Sequence, residues 1–305
     1  MSWYRVKGRH SREGGNPGRK WIPGQARNDK LISHVVIIIL FFSLFTASYA
    51  AETPKRIISL APNITEILFA LGLGDNIVGV TNFCDYPEEA KKKPKIGGMS
   101  NPSLEAVVTL KPDIVIMTTD GNPKEFEERL RSMKIRTFVF TARRLGELPR
   151  GVRDLGTALG VQKRAEAFAV DYETTLTRLK TQHSKAAATK KKILFIVWPE
   201  PLIVAGPGTV IDDALQAVGV ENIAAEAHIP YPKYSIEEIL RRQPDLIIIG
   251  KGHSDVRKAS EGLIKKLKIL RAVKDGRVFY VSDDLYRLGP RTIRGVEDIW
   301  GLLDK

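Results

Sequence analysis

The segment SLEAVVTLKPDIVIM, beginning at Ser103, is echoed by SIEEILRRQPDLIII, beginning at Ser235. Ser103 corresponds to Ser235, Glu105 to Glu237 and Pro112-Asp113 to Pro244-Asp245, each pair 132 residues apart. Both copies read as an N-cap serine, a short helix, a Pro-Asp stop and a buried strand. A unit of this kind cannot cover its own apolar strand, so its repetition predicts two similar α/β halves. Ser235 and Glu238 have the spacing of a capping box, whereas the first copy has Ala106 at the corresponding position.

The surrounding sequence extends this pattern. From Arg56, RIISLAP reads as a strand running into a turn. NITEILFALGLG reads as a helix with Asn63 as N-cap, Glu66 three residues on, and Gly72 or Gly74 at its end. NIVGVT, Ile114–Thr119 and Thr137–Ala142 are further strands, apolar on both faces, as in a parallel sheet covered on both sides. Residues 161–188 contain no Gly or Pro, and Ala165, Phe168, Ala169, Tyr172, Leu176 and Leu179 recur at helical spacing. Some 25 such residues would make a rod about 37 Å long. Alternation then restarts with ILFIVW, IVAG, a helix from Ile211 to Val218, the second copy, and RVFYVS. The expected fold is α/β: two Rossmann-like lobes, each a parallel sheet flanked by helices, joined by one long α-helix. The expected divisions are an N-terminal extension with signal peptide (1–50), an N-terminal lobe (51–160), a linking helix (161–188) and a C-terminal lobe (189–305).

The extension contains VVIIILFFSLF, Val35 to Phe45, preceded by Lys30 and followed by Ser48-Tyr49-Ala50. Small residues at the −3 and −1 positions predict a signal peptide cleaved before Ala51, with retention as an anchor the alternative. No Cys stands at the end of the run, so a lipoprotein is not expected, and export leads to the periplasm or beyond. SREGGNPGRKWIPGQARND, further upstream, resembles a translated intergenic repeat, which leaves the true translation start open. The 305-residue chain has a net charge of +13, but its first 50 residues hold eight Lys/Arg against two Asp/Glu. Removing that +6 leaves +7 for the remainder, with no aromatic-interleaved basic stripe, so nucleic acid is not an expected partner. Cys84 is the single cysteine, which excludes an internal disulfide and a Cys-rich metal cluster.

RIISLAPNITEILFALG, GVTNFCDYP, NPSLEAVVTLKPDIVI, SIEEILRRQPDLIII and VSDDLYRLGPR, in this order, resemble the helical-backbone class of periplasmic substrate-binding proteins of ABC importers. The first of these, followed by DYP and GNP, is most similar to the vitamin B12-binding members. The resemblance covers residues 55–300 and implies a ligand in the cleft between lobes. The cleft positions it implies are Phe83, Tyr86, Trp198, Tyr231, Asp283 and Arg287. Aromatic faces suit a large flat corrinoid ring, and Asp and Arg suit its peripheral amides. Core packing is the competing reading of the aromatics. Met99 stands where the B12-binding pattern often has Trp, which weakens cobalamin relative to a ferric siderophore or haem. Haem would take Tyr86, Tyr231 or His228 as an axial ligand. The resemblance also implies that Glu105 and Glu237 dock a monomeric carrier onto arginines of a permease dimer with its ATPase subunits. The competing reading is that each acid favours its helix dipole.

Metal capture is not expected, because the histidines beyond the extension are only His183, His228 and His253, none in the first lobe. The distant alternative is an exported two-lobed transferase. GLGDNIVG, however, follows a helix and lacks the dinucleotide-binding spacing, and neither a P-loop nor a nucleophile elbow is present. Cys84 has no first-lobe His to activate it. Asp212-Asp213 and Asp283-Asp284 read as caps or solvated acids. The expectation is a binding protein with no catalytic residue and no cofactor of its own.

Overall fold

The apolar runs form the strands of two sheets in the computed structural model, which describes residues 53–184, 191–251, 256–282 and 284–303. The proposed signal peptide, the last four residues of the 161–188 segment and Asp283 lie outside the described residues. In the first lobe, Ile57–Ser59 (β1), Ile77–Val80 (β2), Ile114–Thr118 (β3) and Thr137–Phe140 (β4) pair in the order β2-β1-β3-β4. Every pairing is parallel, with Ile57 opposite both Ile77 and Ile114. Side chains alternate between the two faces. Ile57, Ile114 and Ile116 join the core beneath the helices Pro62–Ala70 and Leu148–Ala158. Ile58, Val115 and Met117 join Val107, Phe126 and Leu130 on the other face. Burial on both faces accounts for the unbroken apolar runs.

The second sheet is mixed. Lys192–Pro199 (β5), Leu202–Val204 (β6), Glu221–Asn222 (β7), Leu246–Gly250 (β8) and Val278–Val281 (β9) follow the order β6-β5-β8-β9, with β7 also beside β5. Because β8 occupies one edge of β5, β7 and β6 share the other edge. β7 pairs parallel with Lys192 and Ile193, and β6 folds back antiparallel against Ile196–Pro199. The IVAG strand therefore adds an antiparallel edge to the otherwise parallel sheet, because only two residues, Glu200 and Pro201, separate it from β5.

The helix Gln162–Ser184 runs 23 residues, about 34 Å. Its stripe Ala165, Tyr172, Leu176 and Leu179 packs into one core with Leu155 and Leu159 of the first lobe and Phe195, Ile211 and Leu215 of the second. Close approach to Leu148–Ala158 requires Gly156, where a Cβ would lie 2.2 Å from that of Ala165.

The duplicated segment is built alike in both lobes. Ser103 Oγ accepts the amide of Ala106 at 3.2 Å, and Ser235 Oγ accepts that of Glu238 at 3.1 Å. The helices Leu104–Thr109 and Ile236–Arg242 are each followed within two residues by a left-handed residue, Lys111 (φ 45°) and Gln243 (φ 49°). Each Pro-Asp then does more than stop its helix. Asp113 Oδ2 accepts the amides of Lys55 (2.8 Å) and Arg56 (2.9 Å), and Asp245 Oδ2 accepts that of Lys192 (2.7 Å). Each aspartate thus caps backbone donors at the entry to the neighbouring strand.

Two capping expectations need correction. The helix after β1 begins at Pro62 with Ala61 as N-cap and no side-chain cap. Proline is preorganised for the first helical position, which moves Asn63 inside the helix. In the second copy, the Glu238 carboxylate turns to Arg241 (2.7 Å) and Arg242 (2.5 Å) rather than back to Ser235. A full charge on each neighbouring guanidinium outcompetes a neutral backbone amide.

Asp113 holds two backbone amides just before β1 and Asp245 holds one at the start of β5, so their removal should differ. Asp113→Ala should cost about 2 kcal/mol and Asp245→Ala about 1 kcal/mol. Urea unfolding followed by circular dichroism measures both; equal losses would contradict this account.

Candidate functional site

A cavity of about 550 Å³ opens between the lobes. The first lobe contributes Pro62 and Asn63 beyond β1, Met99, Thr118 and Asp120 around the end of β3, and Ala142-Arg143 beyond β4. The second contributes the helix entry Gly208–Val210, the loop Ile229–Tyr231 and Tyr286–Leu288 beyond β9. Ligands of open α/β sheets bind outside the carboxyl ends of strands, where chain crossings leave a crevice. The first-lobe wall lies at such a place, beyond the carboxyl ends of β1, β3 and β4, and the second-lobe segments face it.

Tyr231 and Arg287, both predicted from the sequence, line this cavity. Tyr231 is 42% exposed. Its hydroxyl is nonetheless desolvated enough to push the phenol up to about 12, with the Asp120 carboxylate adding to the rise. It is therefore a neutral donor and acceptor at any physiological pH. Phe83, Tyr86 and Trp198 are exposed rather than packed in the core, and all three lie outside the cavity wall. Trp198 donates its indole N–H to the Glu200 carbonyl at 2.7 Å. Tyr86 lies under the Arg291 guanidinium, 4.2 Å from the ring centroid. Met99 lines the cavity, and His228 is exposed. Asp283 is outside the described residues.

Arg287 is 8% exposed, and its charge is met by first-lobe acids. Its Nη1 lies 2.5 Å from Asp85 Oδ1 and 3.7 Å from Glu66 Oε1. Arg291 forks onto Glu66, with Nε to Oε2 at 2.9 Å and Nη2 to Oε1 at 2.6 Å, and also pairs with Asp284. One carboxylate, Glu66, is thus gripped by two arginines of the other lobe. A second interlobe clasp joins Arg144 to Asp213. Asp213 Oδ2 also accepts the Leu145 amide at 3.0 Å. The sequence reading missed Glu66, Asp85, Arg291 and Arg144 in these roles, because their partners lie 69 to 225 residues away in the chain. The signal the sequence did offer was that Glu66, Asp85 and Arg291 fall in RIISLAPNITEILFALG, GVTNFCDYP and VSDDLYRLGPR, three of the pieces that carry the family resemblance.

Asp212 accepts from Gln216 (2.8 Å) and Asn222 (2.9 Å), so the Asp212-Asp213 pair is occupied by side chains of the fold. Cys84 is buried, its sulfur 3.1 Å from the hydroxyls of Thr65 and Thr81. Glu105 and Glu237 both stand exposed at the second position of their helices. Glu237's own amide, then the Ser235 hydroxyl, hold its carboxyl below the usual range.

The periplasmic binding protein family model matches residues 57–285, and the chain belongs to that family. It is a substrate-binding protein rather than an enzyme. The vitamin B12-binding protein of Pectobacterium carotovorum is 31% identical over 257 residues, covering 84% of this chain and 90% of the relative. The crystal structure of the periplasmic vitamin B12-binding protein BtuF of Vibrio cholerae superposes with a TM-score of 0.72 at 30% identity, covering 83% of this chain and 97% of that one. The apo periplasmic heme-binding protein RhuT from Roseiflexus gives a TM-score of 0.74 at 29% identity, covering 81% and 97%.

Glu66 is 2% exposed, and removing its charge weakens two charge-assisted bonds from Arg291 and leaves Asp284 and Asp85 as the acids that balance Arg291 and Arg287. Glu66→Gln should lower unfolding free energy by about 3 kcal/mol. Glu297→Gln, which breaks an exposed 3.5 Å pair with Arg178, should change it by less than about 0.5 kcal/mol. Urea titration of both variants checks the contrast, and a cheap Glu66→Gln would refute a buried clasp.

Proposed function

We propose that this protein is the periplasmic solute-binding component of an ABC importer and that it captures cobalamin, or a related corrinoid, in the interlobe cleft. The observation that carries this reading is the similarity along 84% of the chain to a protein named for vitamin B12 binding. The chemistry of the cleft supports it. A corrinoid offers broad apolar faces and a rim of neutral amides. Met99, Ile229, Tyr231 and Tyr286 supply apolar and aromatic surface, and Asn63, Thr118, Asp120 and Arg143 supply polar groups. Arg287 is matched by Asp85 and Glu66, which leaves it less suited to anchor a strongly anionic ligand.

Haem is the second reading, and the resemblance to RhuT favours it. It would need an axial donor. Tyr231 faces the cavity with its phenol pushed up to about 12 by burial and by Asp120, and it would have to lose its proton on ligation. Ferric siderophores are the third. Among the described residues no helix is long and apolar enough to cross a membrane. In this reading the apolar N-terminal run exports a monomeric, non-lipidated carrier.

Calorimetry of refolded, ligand-free protein with cyanocobalamin should give a sub-micromolar dissociation constant, about 8 kcal/mol or more of binding free energy. Silence with cyanocobalamin beside tight haem or ferric-siderophore binding would transfer the reading to that ligand.

Glu105 and Glu237 are the proposed contacts to the two permease subunits. Rim charges steer encounter and fix orientation while adding little net affinity, which suits a carrier that must leave again. Glu105→Arg or Glu237→Arg should leave cobalamin affinity within about twofold while sharply reducing uptake and transporter-stimulated ATP hydrolysis. Normal uptake by both variants would reduce these acids to helix-dipole partners.

A further inference from the structure

The tripeptide Gly121-Asn122-Pro123, which follows β3, contributes no wall residue to the cleft, yet three wall segments converge on it. Asn122 Oδ1 accepts the amide of Thr118 at 2.8 Å. Its Nδ2 donates to the carbonyl of Leu60 at 3.0 Å and to that of Met99 at 2.8 Å. Thr118 and Met99 are themselves in the wall, and Leu60 lies two residues before Pro62, the first wall residue beyond β1. A single primary amide therefore ties together the end of β1, the end of β3 and the Met99 segment.

The residue types on either side fit the same task. Gly121 has φ +105°, and a Cβ there would come within 2.2 Å of Met99 Cε, so only glycine leaves the seat in which the Met99 side chain rests. Pro123 stands at the N-cap of the helix Lys124–Ser132 with φ −68°, which fixes where the turn ends. The asparagine is specific too. Two of its partners are carbonyls and require donors, and the third is an amide and requires an acceptor; an amide side chain has both and a carboxylate only one.

We propose that Asn122 is a positioning residue for the ligand site. Without belonging to the wall, it sets the shape of the first-lobe wall, and Gly121 sets the pose of Met99 within it. The choice of probe rests on the corrinoid reading above, but the placement of the wall does not.

Two measurements on Asn122→Ala, Asn122→Asp and Gly121→Ala test this. Asp245→Ala is the control, since it removes a strand cap outside the cleft wall. In ligand-free protein, amide exchange at Leu60, Ala61, Asn63, residues 99–101 and residues 118–120 should speed up at least about tenfold in both Asn122 variants and by no more than about fivefold in Asp245→Ala, whose lost cap acts only through global stability. In calorimetry, cyanocobalamin binding should weaken about tenfold or more in Asn122→Ala and Gly121→Ala, and at least as much in Asn122→Asp, where a carboxylate would face two carbonyls. Asp245→Ala should stay within about twofold. Exchange that is unaltered in the Asn122 variants overturns the proposal, as does equal weakening by Asp245→Ala. If wild type binds no cyanocobalamin but exchange behaves as expected, the corrinoid reading fails and the positioning role stands.

Discussion

Glu66 extends from the first helix of one lobe into the grip of two arginines from the other. A carboxylate taken this far from water is tolerable only when its charge is matched and its lone pairs are occupied. That condition fixes where Arg287 and Arg291 must lie, and through them the Tyr286–Leu288 segment that walls the cleft. On the first-lobe side, the helix that carries Glu66 also carries Pro62 and Asn63 of the opposing wall. The separation of the walls is therefore tied to one charge cluster, seconded by Arg144 and Asp213.

Such a clasp is a weak source of net stability, because desolvation offsets much of the Coulomb gain. Its value is geometric, since forked guanidinium-carboxylate pairs have a narrow range of good arrangements. Bulk stability comes from elsewhere. The linking helix packs into an apolar core continuous with both lobes, and each sheet is covered on both faces. Non-directional burial holds the lobes together, and directional ion pairs set their orientation.

Duplication accounts for the symmetry of the outer surface. The same serine cap, left-handed residue and strand-capping aspartate recur in both lobes, so Glu105 and Glu237 occupy equivalent helical positions. The cleft is not symmetric in the same way. Its first-lobe wall hangs from Asn122, whereas its second-lobe wall is built from a helix entry, the Ile229–Tyr231 loop and the segment beyond β9. A repeated scaffold thus supports two unlike surfaces around one ligand.

The periodicity of the chain was enough to read the strands, the long helix and both serine caps, because each depends on neighbours within a few residues. Ser103 and Ser235 cap as read, and Tyr231 and Arg287 face the cavity. Asn63 did not cap, because the proline beside it set the helix start, and IVAG folded back on β5 through a two-residue turn. Phe83, Tyr86 and Trp198, named on the resemblance, lie outside this cavity wall, because where an exposed aromatic ring sits is set by distant partners, as it is by Arg291 for Tyr86. The partners of Glu66 and Asp213 were invisible for a plainer reason. A charge-charge contact leaves no periodic trace when its members are 69 or 225 residues apart. The sequence by itself determined the two lobes, because burial of alternating strands and helices is a local property of pattern. Only the tertiary structure decided which charges meet across the cleft and which amide holds its wall, because those depend on distances that folding alone brings within reach.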